Sequence, residues 1–492
     1  MHAATHLLLG IACSSASLLF SQNPLVLNDV HSRLNATEVA EIIHPKSTAD
    51  VVAAIHKAEG SGLQVSISGA RHSMGGQQFA KGSLHLNMRS MNRVLSLDLN
   101  RRLVRAEAGI TWTELLAELE KRQTGEPSLL TFHQKQTGAD ELTLGGAVSS
   151  NIHGRGLNWQ PMVQDIESLT LVKAGGEVVK VSREINADLF KLVIGGYGLL
   201  GVITEVELRL LPRQRLERVV EISTIAGLPE RIRQRRQDGY WLGDFQFCPD
   251  ETSADFLREG VFACYKPLAS DGPVHEPSVK LNPDAWRQLI IEAHTHKPGA
   301  WSKYKAHYLR TQGQQYWHDR AQFNHYDTDY EERIEAAVPG LQPGSLMISE
   351  LYVVPEKLED FMISAGSMIR EEGANVIYGT IRFIKRDDVT FLPWARKDYA
   401  CIVMNLRVTH TAEGKEKAAK VFRKLIDLAL AREGSFFLTY HRWATPDQML
   451  AAYPQFPEFL RLKKSNDPKE LFQSEWYRHW RFLADTKSTS IR

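Results

Sequence analysis

Three glycine-rich runs within one stretch of about 140 residues constrain this chain more than any other feature. The first is Ser68-Gly69-Ala70-Arg71-His72-Ser73-Met74-Gly75-Gly76-Gln77, directly after Leu63, Val65 and Ile67, which alternate with polar residues as in a half-buried strand. The second runs from Thr143 through Gly145, Gly146, Ser149, Ser150, Asn151, Ile152, His153 and Gly154 to Gly156, and the third from Gly195 to Thr204. Glycine allows backbone to come close to a ligand, and Ser149, Ser150 and Asn151 add hydrogen-bonding groups. The first loop can turn successive N–H groups toward a pyrophosphate. It is not GxGxxG and no helical pattern opens after it, so a Rossmann reading fails. One such loop would be weak evidence; three in one unit point to a binding site built from them.

Regular elements surround the loops. Ser47 with Asp50 caps a helix bearing Val51, Val52, Ile55 and Ala58, and Thr111 with Glu114 forms a capping box before Leu115, Leu116 and Leu119. Residues 166–181 read as two strands joined at Ala174-Gly175-Gly176-Glu177, and Leu199–Leu211 as a further strand closed by Pro212. The expected fold class is α+β, with a first unit ending near 213. Residues 213–340 are rich in Arg, Trp, Tyr and His with few clean periods. Strands return at Ser349–Val354, Ile377–Ile384 and Ala400–Thr409, followed by a helix over Glu413–Arg432.

Composition removes several classes of function. The 492 residues carry 59 Lys+Arg against 58 Asp+Glu, a net charge of +1 that lacks the electrostatic footprint of a nucleic-acid binder. The four cysteines, Cys13, Cys248, Cys264 and Cys401, form no CxxC pair, against a disulfide scaffold, a zinc ribbon or a local iron–sulfur site. His294 and His296 would share one face of a strand, but with His307, His318 and His325 they lack metal-ligand spacing, so no metal is expected. Trp301, Tyr304, Tyr308, Tyr316, Trp317 and Tyr326 suit a pocket wall or a cap core. Leu7–Phe20 is apolar or small, the length of a secretory h-region, although no Lys or Arg precedes Arg33. Residues 1–22 are therefore either an export signal or an unstructured start, and the chain is correspondingly exported or cytoplasmic.

The order of the glycine runs resembles the FAD-binding domain of the vanillyl-alcohol oxidase / p-cresol methylhydroxylase superfamily. Within it the chain is most similar to sugar-lactone and alditol oxidases, decaprenylphosphoryl-ribose oxidases and cytokinin dehydrogenases. The resemblance covers about residues 38–485. It implies a two-domain FAD-linked oxidase fold: an FAD-binding domain at 38–213, a substrate domain at 214–430, and a segment at 431–485 that returns to the flavin. Gly69, Ala70, Arg71, His72, Ser73, Gly75, Gly76 and Gln77 match the family's phosphate loop, and His72 falls where covalent members join histidine to the flavin 8α-methyl. Gly138 matches another FAD contact; Thr143, Gly145, Gly146, Ser149, Ser150, Asn151, His153 and Gly154 match the second loop. The third run, with Ile203, matches the strand beside the adenine.

The resemblance extends to the C-terminal part. Ser349–Pro355 resembles a strand facing the flavin, and Thr380-Ile381-Arg382 the strand that carries Glu-x-Arg in lactone and alditol oxidases. Thr380 stands where that glutamate is expected, which puts a plain lactone or alditol oxidase assignment in doubt. Phe437–Trp443 resembles the returning segment but lacks its lysine, and Asp467-Pro468 with Phe472 and Ser474-Glu475-Trp476 resembles the closing motif.

Oxidation of a C–H bond by a flavin needs a group to take the substrate proton and a cation where negative charge grows. Arg382 suits the cation, Glu350 the carboxylate, and Tyr440 and His441 the flavin side or proton transfer; Glu350 and Tyr352, two apart, share a strand face. The expected activity is oxidation of the CH–OH group of a sugar, sugar lactone, polyol or similar polar alcohol, with oxygen or another acceptor as partner. Two alternatives remain: amine oxidation in the manner of cytokinin dehydrogenase, and a flavin-binding protein without catalysis.

Overall fold

The computed structural model describes residues 24–126, 128–138, 140–268, 278–323 and 329–486. The export segment expected at 1–22, with its Cys13, lies outside the described residues, as do His325 and Tyr326. Among the described residues no helix is long and apolar enough to cross a membrane. The architecture is mixed helix and sheet, in line with the two-domain α+β FAD-oxidase fold.

An antiparallel pair, β1 (Leu25–Leu27) and β2 (Thr37–Val39), leads into a three-stranded parallel sheet ordered β3 (Glu41–Ile43), β5 (Leu84–Asn87), β4 (Val65–Ser68). The Ser47 side chain accepts from Asp50 N and opens the helix Thr48–Gly60, whose Val51, Ala54, Ile55 and Ala58 pack against Val65, Leu84 and Leu86. Beside it stands an antiparallel sheet ordered β10 (Val178–Ser182), β9 (Ile166–Val172), β11 (Val202–Pro212), β7 (Leu103–Glu107), β6 (Val94–Asp98), with β8 (Leu130–Phe132) also on β11. The expected capping box forms: Thr111 and Glu114 open the helix Trp112–Arg122, which buries Trp112, Leu115, Leu116 and Leu119.

A second, eight-stranded antiparallel sheet follows the order β15 (Gln315–Trp317), β12 (Arg215–Thr224), β14 (Glu259–Pro267), β13 (Leu242–Phe247), β17 (Val376–Ile384), β18 (Tyr399–Thr409), β16 (Gly344–Val353), β19 (Ser435–Phe436). β12 to β15 occupy the stretch that reads as irregular in sequence. In β13 Asp244 and Gln246 alternate with Phe245 and Phe247, yet all six residues are buried, because the polar pair faces a cavity and not solvent. His294 is on a helix, Pro283–Thr295, and not on a strand; its Nε2 hydrogen-bonds Tyr330 OH at 2.5 Å.

The C-terminal chain folds back onto the first sheets. Val65 N donates to Leu471 O (2.7 Å) and Gln473 N to Val65 O (2.9 Å). Met74 N and Gly75 N both donate to Thr439 O, at 3.1 and 3.0 Å, so residues 437–443 lie against the first glycine loop. Asp467 holds the tail: its carboxylate accepts from Leu471 N and Phe472 N, both at 2.9 Å, and from the buried Lys463 Nζ at 2.8 Å. A buried pair of this kind is tolerated because both carboxylate oxygens accept hydrogen bonds, Oδ1 one and Oδ2 two.

Candidate active site and cofactor cradle

Two adjoining cavities lie between the glycine loops and the large sheet. The larger is about 400 Å³ and the smaller about 80 Å³; Gly69, Ser73, Gln78, Thr143, Gly146 and Ser150 line both. Gly69 is required for the loops to meet, since a Cβ there would fall 1.9 Å from Thr143 Oγ1. Thr143 in turn caps the helix Leu144–Ser150, accepting from Gly146 N. That helix lies inside the second glycine run, which reads as a loop in sequence because Gly145 and Gly146 have low helix propensity.

The expected cofactor residues divide into two groups. Ala70, Arg71, His72 and Gly138 line the large cavity, and Gln77, Gly145, Ser149 and Ile203 the small one. Gly75, Gly76, Asn151, His153 and Gly154 line neither. Gly76 O instead accepts from Trp476 N at 3.2 Å, and Asn151 bridges Val163 N (3.0 Å) and Asp387 (2.9 Å). Their part in the motif is to hold the loops in place.

This cradle fits FAD. The small cavity is lined by uncharged residues only, with Ser68, Ser73, Gln77, Ser149 and Ser150 as polar groups beside apolar Ile67, Met88 and Ile203. Gly138 lines the large cavity at φ +95°, and a Cβ there would meet no protein atom within 4 Å, so the cavity wall is open where that side chain would stand. His72 Nδ1 lies 2.7 Å from His31 Nε2. Burial, with the charges of His31 and Arg71 acting in the same direction, pushes His72 well below the usual imidazole range and keeps it neutral.

The opposite wall is one face of the eight-stranded sheet. Glu350 on β16 and Thr380 on β17 both pair with Val403 of β18, and Tyr352 and Arg382 both pair with Cys401, so all four project to the same side. The pairing of Phe245 with Ile381 sets Asp244 opposite Arg382 and Gln246 opposite Thr380. The carboxylate missing at Thr380 is therefore present on the same face, at Glu350. Arg382 is 6% exposed and makes no hydrogen bond or ion pair with any described residue, while lining the cavity.

Glu350 Oε1 accepts from Tyr352 OH and faces His153 Nε2 at 3.0 Å; Oε2 is buried without a hydrogen-bond partner among the described residues. His153 Nδ1 donates to Gly154 O (2.9 Å), so its Nε2 and Glu350 would be two acceptors unless one proton lies between them. Cys401 Sγ is 3.5 Å from the same Nε2, so the polar atoms of His153, Glu350 and Cys401 lie within 4.8 Å of one another. Burial alone would raise the Glu350 pKa, but His153, Tyr352 and Arg382 outweigh it and hold the carboxyl below the usual range.

Tyr440 lines the cavity, its hydroxyl bonded to Gln136 Nε2. His441 does not. Its ring packs between Phe422 (4.8 Å) and Phe436 (6.0 Å), Nδ1 accepts from Trp443 N, and burial lowers its pKa to about 3. The expected role of His441 at the flavin is thus corrected to that of a core histidine. Sequence reasoning missed Gln136, Arg155, Arg218, Asp244 and Gln246, which also line the cavity. The one available signal was the run of Trp and Tyr near them: Trp301, Tyr304 and Tyr308 form the wall at that end.

Comparison with known proteins bears on the cofactor. Residues 39–182 match the FAD binding domain family. The chain is 29% identical over 198 residues to cytokinin dehydrogenase 4 of Oryza sativa subsp. japonica, covering 37% of this chain and 35% of that protein. It is 31% identical over 172 residues to L-gulonolactone oxidase of Mus musculus, covering 35% and 37%. It is 30% identical over 170 residues to a putative D-arabinono-1,4-lactone oxidase of Neurospora crassa, covering 35% and 29%. The chain thus spans roughly a third of the length of the curated relatives it matches. Residues 39–182 thus match an FAD-binding domain, and the relatives that share this part of the chain are oxidoreductases, in keeping with the resemblance to the vanillyl-alcohol oxidase / p-cresol methylhydroxylase superfamily.

Proposed function

We propose that the protein oxidises the CH–OH group of a polar alcohol, a sugar, lactone or polyol, and passes the electrons to oxygen or another acceptor. The observation that carries this reading is the pairing of two unpartnered polar atoms on one sheet face: the buried Glu350 Oε2 and the Arg382 guanidinium. Bound FAD would supply the acceptor for a hydride from the substrate carbon. Glu350 Oε2 takes the hydroxyl proton as the carbonyl forms, with His153 and Tyr352 fixing the carboxylate. Arg382 balances negative charge as it develops in the cavity. The Tyr440 hydroxyl, accepting from Gln136, keeps its own proton to donate to a substrate oxygen.

Amine oxidation is the second reading, favoured by the aromatic wall of Trp301, Tyr304 and Tyr308, which suits a planar ring. Steady-state turnover against polyols, lactones and amines, with oxygen and with an artificial acceptor, separates the two. Turnover of alcohols alone supports the proposal; turnover of amines alone overturns it.

We further infer that His72 is joined covalently to the FAD 8α-methyl. His72 lies on the cavity wall beside His31, and burial lowers its pKa so that its ring is the neutral imidazole a nucleophile requires. Acid-precipitated protein should stay yellow, with an intact mass greater than that of the bare chain by one FAD. His72→Ala should release its flavin on precipitation while still folding. Complete release of flavin from the unmutated protein would show the linkage to be noncovalent.

A further inference from the structure

The charges along the cavity do not cancel. Asp244 is committed to Arg155 Nη1 (3.3 Å) and Gln246 Nε2 (3.1 Å), Glu350 to His153 and Tyr352, and Glu331 to Arg407 (2.9 Å) and Leu346 N (2.7 Å). Arg218, on β12, has no carboxylate within 4 Å among the described residues. Its Nε and Nη2 donate to Tyr265 OH and its Nη1 to Thr311 Oγ1 (3.1 Å), all neutral acceptors. A guanidinium carries about five N–H groups, so one remains on each terminal nitrogen of Arg218, the arrangement that meets a carboxylate or phosphate with two parallel bonds.

Arg155 lines the same end. Its loop is fixed to β13 by Gly243 N donating to Arg155 O (2.9 Å), and its side chain is 5% exposed with Nε unpartnered. Arg155 already has Asp244 as its counter-charge and donates Nη2 to Ala321 O, so of the two only Arg218 lacks a carboxylate among the described residues, and a buried charge without a counter-charge is costly. The cofactor's phosphates are a poor candidate for the missing anion. The small cavity of the glycine loops is lined by uncharged residues, whereas Arg218 stands among Tyr265, Tyr308 and Tyr316, with ring centroids 5.0, 5.4 and 4.7 Å away.

We propose that Arg218 and Arg155 form an anion subsite, and that the substrate is a polar alcohol carrying a carboxylate or phosphate at the end remote from the oxidised carbon. This rests on the reading of the cavity as the site of alcohol oxidation. β12 lies three strand spacings from β17, about 14 Å between strand axes, and long side chains lean in from both. A sugar acid or sugar phosphate can span Arg382 to Arg218; a two-carbon alcohol cannot. The aromatic wall of Trp301 and Tyr304, with Gln246 held by Tyr304 OH at 2.8 Å, suits the faces and hydroxyls of such a molecule.

The test is equilibrium binding to the FAD-loaded protein, read by perturbation of the flavin absorbance and by the melting temperature. The probes are D-gluconate, inorganic phosphate and neutral D-sorbitol. Gluconate or phosphate should bind more tightly than sorbitol, and Arg218→Gln should erase that preference by about tenfold or more, with Arg218→Lys intermediate. Competition with acetate and with phosphate then distinguishes a carboxylate from a phosphate ester. Equal binding of gluconate, phosphate and sorbitol overturns the subsite, as does an undiminished preference in Arg218→Gln. Loss of FAD from Arg218→Gln also overturns it, because the anion would then be the cofactor's. If the anions bind as expected but no alcohol reduces the flavin, the alcohol reading fails and the subsite stands. If alcohols reduce it with no preference for anions, the subsite alone fails.

Discussion

Glu350→Gln lowers kcat by roughly 10²–10⁴-fold, the range for removing a positioned general base, while the flavin stays bound with its visible spectrum near normal. The amide preserves the shape of the side chain and an acceptor for Tyr352, but has no carboxylate to take the substrate proton. The pH profile supplies the independent readout. Glu350 is held below the usual carboxylate range by His153, Tyr352 and Arg382 against the opposing effect of burial. A base works in its deprotonated form, so activity is lost only as pH falls through that depressed value. kcat/KM of the unmutated enzyme should therefore show no loss from this group between neutrality and about pH 5, and an acid limb below the ordinary glutamate value of about 4.3. That limb should vanish in Glu350→Gln. Unchanged turnover would remove Glu350 from the chemistry.

Arg382→Ala should cost roughly 10²–10³-fold in kcat, comparable to deleting one preorganised group that meets developing charge. Because Arg382 makes no hydrogen bond or ion pair with any described residue, its loss leaves no protein partner unsatisfied. The melting temperature and the flavin spectrum should accordingly change little. Arg382→Lys keeps the charge without the planar fork and should recover part of the loss. A large fall in melting temperature with turnover intact would assign Arg382 to structure instead.

The parts of the site carried by local signals were legible in the sequence. Ser47 and Thr111 cap their helices through neighbours three residues away, the glycine runs mark the loops that meet at Thr143, and the two-residue spacing puts Glu350 and Tyr352 on one face. What was not legible depends on strand order. His153 and Glu350 are 197 residues apart and meet only because the second loop docks on the large sheet. Arg218 and Asp244 reach the cavity only because β12 and β13 join β17 in one sheet through β14, a pairing between segments distant in sequence. His441 next to Tyr440 carries no local sign of which side chain enters the cavity, since Phe422 and Phe436 decide it from elsewhere.

Anaerobic mixing of the FAD-loaded protein with single substrates, followed by the flavin's visible absorbance, tests most directly whether this cavity oxidises alcohols. It isolates hydride transfer from the choice of electron acceptor, so oxidase and dehydrogenase give the same answer. Sugars, lactones, polyols and sugar acids should be tried beside amines. The expected result is bleaching by at least one polar alcohol, slowed roughly 10²-fold or more in Glu350→Gln. Bleaching by amines alone, or by an alcohol at the same rate in Glu350→Gln as in the unmutated protein, would contradict it.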